Sequence, residues 1–184
     1  LWWRSRFNYT GDLMHVSCKG VAAYALGSVL WSLVMEGDCV GSAEAKLLTI
    51  WREIQIEYDL RKSSSRLTNL TLSMFCNAGS LRSQYPCLHS SAAEARELVP
   101  IMLGISNKHQ NNLPRDEHRS RMLSNLGGVY EIVQRESWFL PKVKADILRA
   151  HIHLFFIHDK ALALESFRRG VLNWPIVTKS HALW

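Results

Sequence analysis

The sequence contains no apolar run long enough to cross a membrane. Its longest uncharged run, from Gly20 to Met35, has 16 residues, whereas a bilayer-spanning helix needs about 20. That run also contains Ser28 and Ser32. It therefore predicts a buried helix in a protein that has no membrane partner.

The sequence also lacks the short motifs of common nucleotide-binding and hydrolytic sites. None of G-x-x-x-x-G-K-[ST], G-x-G-x-x-G and G-x-S-x-G occurs, so phosphate-binding loops and a hydrolase elbow have no support. The four cysteines form no C-x-x-C pair, and a chain of this length needs no disulfide framework. A content of 47% hydrophobic and 21% charged residues excludes a disordered chain, and 184 residues predict a single domain over 1–184.

Two groups of metal-ligating residue types occur. They are His151, His153 and His158 on a predicted helix, and Cys76, Cys87 and His89 around a predicted loop. In the first group only two histidines share a face, seven residues apart, while zinc-binding helices place ligands three or four apart. The second group has no fourth ligand at a familiar spacing. Packing histidines and a loop without metal are therefore the favoured interpretations.

Charge is distributed unevenly along the chain. Residues 1–60 carry a net charge of −2 and residues 61–184 carry +8, which gives +6 for the whole chain. The basic part is the candidate surface for duplex DNA. The residues proposed to contact phosphates are Arg115, Arg119, Arg121, Arg168 and Arg169. The alternative is that these clusters are only a solvated helix face.

Hydrophobic periodicity and capping signals predict a mainly α fold, a helical bundle with at most one or two short strands. The predicted helices cover 12–35, a segment capped by Ser42, a segment opened by the capping box Ser91 to Glu94, 115–136, and 141–170. Pro100 is expected to interrupt or bend the third helix near its end, and Gly127-Gly128 to weaken the fourth. Residues 61–65 are predicted to be a linker, 67–75 a strand and 77–90 a loop.

The second predicted helix is the clearest amphipathic helix. Its apolar stripe consists of Leu47, Leu48, Trp51, Ile54 and Tyr58. This stripe is expected to face a common core with the first helix.

One short motif places a carboxylate next to an imidazole. Asp12 and His15 are three residues apart, so on one helical turn they would face the same space. An alternative without catalysis is that Asp12 is simply an N-cap residue.

The segment Gly11-Asp12-Leu13-Met14-His15, followed by CKGVAAYALGSVL, resembles the D-x-M-H element of CACTA-type (En/Spm, CMC superfamily) DDE transposases. The tail from Leu172 to Trp184 resembles a segment of transposon-derived proteins of single-celled algae that carry the same DLMHV…KGV opening. The resemblance is firmest at 8–34 and 165–184.

This resemblance implies a ribonuclease-H-like DDE core interrupted by a helical insertion, in a nuclear protein. Residues 1–16 would hold the end of a core strand and the D-x-x-H element, 17–170 the insertion, and 171–184 the return toward the core. Asp12 would be the second catalytic carboxylate and a Mg²⁺ ligand, with His15 beside it; two such cations cut and join DNA strands in these enzymes.

The first carboxylate and the final Glu would lie outside residues 1–184. The start LWWRSRF, without Met, and the abrupt end SHALW likewise predict a piece of a longer protein. Mg²⁺ is therefore expected only in the full-length parent, and the fragment is not expected to cut DNA. The competing hypothesis is a noncatalytic helical interaction domain whose apolar stripes dock a partner.

Overall fold

The structure, a computed structural model, describes residues 20–37, 41–76, 84–135 and 140–176. The described parts confirm the mainly α bundle. Its five α-helices are α1 (Ala23–Trp31), α2 (Ala43–Arg61), α3 (Ala92–Lys108), α4 (Pro114–Arg135) and α5 (Lys142–Arg168), with a π-helical turn at Ser32–Glu36 and a 3-10 turn at Leu72–Met74. Within those residue ranges, no helix is long and apolar enough to cross a membrane.

Helix α1 lies at the centre of the bundle and is buried almost all the way round, as predicted. Gly27 explains how the chain packs so closely there. A Cβ at Gly27 would lie 2.7 Å from the backbone nitrogen of Cys87. The adjacent Leu88 N–H donates to the Ala23 carbonyl at 2.8 Å. The segment around residues 87 and 88 therefore rests directly on α1.

Helix α2 begins as predicted, because the Ser42 side chain accepts a hydrogen bond from the Ala45 N–H at 3.3 Å. Its buried stripe differs from the prediction at one position. Leu48 is 49% exposed, and Ile50, which was not part of the predicted stripe, is buried instead. The rest of the stripe faces the core, with Trp51 partly buried.

The predicted strand at residues 67–75 is wrong. The segment is irregular apart from the 3-10 turn, and Leu67 and Leu70 are both buried, although a strand would place residues three apart on opposite faces. A strand needs a partner that continues the backbone hydrogen bonds. Here two such bonds form with the segment after it, Cys87 N to the Phe75 oxygen and His89 N to the Met74 oxygen. These two bonds attach residues 74 and 75 to the segment at 87–89 but do not form a strand.

Helix α3 begins with the predicted capping box, in which Ser91 and Glu94 bond each other's backbone N–H. Pro100 does not end or interrupt this helix, which continues to Lys108. The residues on both sides of the proline are fully buried, including Val99 and Ile101. Their packing offsets the loss of one helical hydrogen bond.

Helices α4 and α5 form an antiparallel pair. Pro141 lies directly before α5, and Gly170 follows that helix with φ +66°, a conformation that suits glycine. In α4 the pair Gly127-Gly128 leaves the helix intact. A Cβ at Gly128 would lie 2.7 Å from the His151 ring. The glycine that was expected to weaken α4 is therefore what lets α5 approach it.

Candidate functional site

Asp12 and His15, the proposed catalytic pair and Mg²⁺ ligand, lie outside the described residues, as does the end of the tail from residue 177. The five arginines proposed for DNA, the histidine and cysteine groups and the surface of α5 are described.

Arg119 is buried. Its side chain is 4% exposed and forms an ion pair with Asp116 at 3.0 Å, and it donates to the Ser32 hydroxyl at 3.4 Å. Asp116 also accepts the backbone N–H groups of Asn111 and Leu113 at 2.9 and 3.1 Å. Burial lowers the pKa of Arg119, and the charge of Asp116 opposes that effect. Arg119 thus holds the start of α4 against the π-helical turn and presents no charge to the surface.

Two further arginines of the proposed DNA set belong to the same charged network. Arg169 contacts Glu36 and also Glu165, the latter at 3.3 Å. Arg115 lies 3.8 Å from Glu165. Together with Arg119 and Asp116, these groups form three cations and three carboxylates that join the π-helical turn, α4 and the end of α5.

Arg121 and Arg168 are the exposed members of the set that lie outside this network, whereas Arg169 is exposed but pairs with Glu36 and Glu165. Arg121 pairs with Glu117 one turn away, at 2.6 Å, with both side chains well exposed. Such exposed pairs contribute little stability and are screened by salt. The burial of Arg119 could have been predicted from the sequence. Arg119 shares a helix face with Met122, Leu123 and Leu126, all of which are buried.

The three histidines of α5 do not lie together in the structure. His158 lies against His118 of α4, with their Nδ1 atoms 3.0 Å apart. His151 bonds Asn125 at 3.0 Å through its Nδ1, and His153 is exposed. Burial lowers the pKa of His158, and the nearby His118 and Arg121 lower it further. His118 was not predicted, because forty residues separate it from its partner.

Cys76, Cys87 and His89 do not assemble a metal site. Cys76 is buried, and burial raises the pKa of its thiol to about 11. Zinc binds the thiolate, which is scarce at such a pKa. His89 is exposed. In the described part of the chain, no three metal-ligating side chains come together.

A small cleft lies between α1, α5 and the segment that follows α5. Its lining includes Tyr24, Ser28, Asp159 and Trp174, and its free volume is about 10 Å³. That volume is close to the space of a single ordered water. Burial raises the pKa of Asp159 to about 7. The cleft is too small for a substrate. It places the Asp159 carboxyl group where burial disfavours the charged form.

The outer surface of α5 carries an apolar stripe that was not predicted from the sequence. We call it the outer seam. It consists of Val143, Ile147, Ala150, Leu154, Ile157, Ala161 and Leu164. The spacing alternates between four and three residues, the pattern of coiled-coil contact positions. Its five large side chains are between 41 and 70% exposed.

The face of α5 that packs into the bundle is a different one. Phe155, His158, Leu162 and Ser166 are buried there. His158 bonds His118 of α4, and Phe155 lines the small cleft beside α1. The helix is therefore held rigidly on one side and offers a second apolar face on the other. The 3.5-residue repeat could have been found in the sequence, but its exposure could not.

No protein-family model, curated protein or solved structure matches this chain. The resemblance to CACTA-type transposases therefore depends only on the motifs quoted above.

Proposed function

We propose that this protein is a noncatalytic helical interaction domain that binds an amphipathic helix along the outer seam of α5. The observation that carries the proposal is the seam itself, seven apolar positions in heptad spacing on an exposed helix face. Large apolar patches of this kind on a soluble protein commonly mark binding surfaces. Helix-in-groove binding and coiled-coil pairing both depend on apolar residues at such spacing.

The seam offers enough energy for specific binding. Fully burying a Val, Leu or Ile side chain yields roughly 1.5–3 kcal/mol. The five large seam residues are about half exposed, so covering them would yield on the order of 4–7 kcal/mol before the entropic cost of association.

The seam is also preorganised. Phe155 and Leu162 fix α5 against the core, and the His118–His158 hydrogen bond links it to α4. A partner helix would therefore not have to order the surface that it binds, which reduces the cost of association.

The test is direct binding of a fluorescent amphipathic peptide with Ile and Leu in heptad spacing, followed by anisotropy. We expect the wild-type chain to bind it and Ile157→Lys to bind it at least tenfold more weakly. Ile56→Lys is the matched control, because Ile56 is exposed on α2, away from the seam. Absence of binding by the wild-type chain, or equal loss in both variants, would contradict the proposal.

A second candidate is a nuclear, transposon-derived DDE protein of the CACTA type that contacts duplex DNA. It is favoured by two segments that resemble such proteins, 8–34 and 165–184, which occur in the expected order. In that candidate residues 17–170 are the helical insertion of a ribonuclease-H-like core, and Asp12 and His15 contribute to a Mg²⁺ site completed only in the full-length parent. A longer reading frame tests it, since an Asp-bearing strand must precede residue 1 and a Glu-bearing helix must follow residue 184.

A further inference from the structure

We infer that the helix bound by the outer seam is the α5 helix of a second copy of this chain, running antiparallel to the first. This inference rests on the proposed function, because it names the partner for the same surface. It follows from the order of large and small residues in the seam and from the charges beside it.

The seam is about 31 Å long, at 1.5 Å per residue from Val143 to Leu164. This is three heptads, the lower end of what sustains a two-stranded coiled coil. The rest of the bundle supports α5 from behind, so the helix does not depend on the partner for its own folding.

The size pattern favours two antiparallel copies over two parallel ones. In a parallel pair each residue meets its own copy, so Ala150 and Ala161 would each form a thin layer with a gap. In an antiparallel pair centred near residue 152, Leu154 of one copy meets Ala150 of the other, and Val143 meets Ala161. Ile147 then meets Ile157. In each layer that contains an alanine a large residue faces a small one, which fills space more evenly.

The charges along the open edge of the seam fit the same arrangement. Asp146, His153 and Lys160 occupy one flank, on the edge away from α4, and all three are exposed. In an antiparallel coiled coil this flank faces the same flank of the partner. Asp146 of each copy would then lie opposite Lys160 of the other, and the two His153 side chains would meet near the two-fold axis.

The opposite flank of the seam is less available to a partner helix. It carries His151 and His158, which bond Asn125 and His118 of the same chain. A parallel pair would need this flank to meet Asp146, His153 and Lys160 of the partner. Asp146 does bond Lys142 and Arg149 within its own helix, but those contacts are exposed and weak.

Sedimentation equilibrium of the whole chain tests the inference. We expect a concentration-dependent dimer for the wild type, a monomer for Ile157→Lys, and an unchanged dimer for Ile56→Lys. A wild-type chain that remains monomeric at several hundred micromolar overturns the inference. If such a monomer still binds the heptad peptide, the proposed function survives and only the identity of the partner is wrong. If the chain binds neither a second copy nor the peptide, both the proposed function and the identity of the partner are wrong.

Charge reversal tests the orientation. Lys160→Glu and Asp146→Lys should each weaken the dimer about tenfold, because each creates two like-charge contacts. The double variant Asp146→Lys/Lys160→Glu should recover wild-type affinity to within about twofold, since opposite charges face each other again. Two single losses without recovery would overturn the antiparallel arrangement.

Discussion

His118 and His158 share one hydrogen bond between their Nδ1 atoms, at 3.0 Å across the α4–α5 interface. One ring must donate its proton and the other must accept, so the bond needs at least one neutral histidine. His158 is the buried member of the pair. This arrangement makes the packing of α5, and hence the support of the outer seam, sensitive to acid.

We expect the protein to lose stability as the pH falls below about 6.5, the ordinary pKa of histidine. Burial and the charges of His118 and Arg121 lower the pKa of His158, while Glu117 opposes them. The unfolded chain therefore binds the proton first, and protonation favours unfolding. His158→Gln should show a smaller loss than the wild type between pH 7.5 and 5.5 in urea denaturation. His89→Gln, which changes an exposed histidine outside α5, should keep the wild-type loss; equal losses in all three proteins would contradict the assignment.

We expect Asp159→Asn to stabilise the protein at pH 8. Burial raises the pKa of Asp159 from its ordinary 3.8 to about 7. Between those values the folded state binds more protons than the unfolded state, so stability falls as the pH rises. The amide removes this penalty and should raise the melting temperature by about 3 °C or more at pH 8. Near pH 4 the variant and the wild type should agree. A variant no more stable than the wild type at pH 8 would show that the carboxylate is not penalised.

We expect Arg119→Met to cost about 3–5 kcal/mol in the free energy of unfolding, because it leaves the buried Asp116 carboxylate without its cation. Arg121→Met removes a neighbouring arginine of the same helix whose ion pair is exposed. That control should cost less than about 1 kcal/mol. Chemical denaturation of both variants measures the difference. Similar values would mean that the Arg119–Asp116 pair is not a buried contact in solution.

The second candidate function makes its own prediction, since a DNA-binding chain should bind duplex DNA less tightly as salt increases. The log–log slope should be about −0.9 per phosphate neutralised. Changing two exposed arginines, Arg121 and Arg168, to Glu should reduce the magnitude of that slope by about 1.8, the amount expected for two phosphate contacts. The double variant Arg52→Glu/Arg61→Glu, at two exposed arginines of α2, is the control with the same change in net charge. A folded chain without salt-dependent binding at low ionic strength excludes this candidate.

The helix boundaries could be predicted because they depend on neighbouring residues. Ser42 and the Ser91–Glu94 capping box bond backbone groups within one turn, and Pro141 and Gly170 act through their own backbone conformations. Pro100 and residues 67–75 were mispredicted for the opposite reason. The surrounding core keeps α3 helical, and a strand requires a partner that the sequence pattern does not specify.

For the candidate site, the sequence by itself determined the residue types and their spacing. The heptad repeat of α5 and the five arginines can both be identified in the sequence. Only the tertiary structure decided that Arg119 is buried, that His158 meets His118, and that the outer seam is left uncovered. Each of these depends on which face of a helix the rest of the bundle occupies, and contacts between residues far apart in the chain determine that choice.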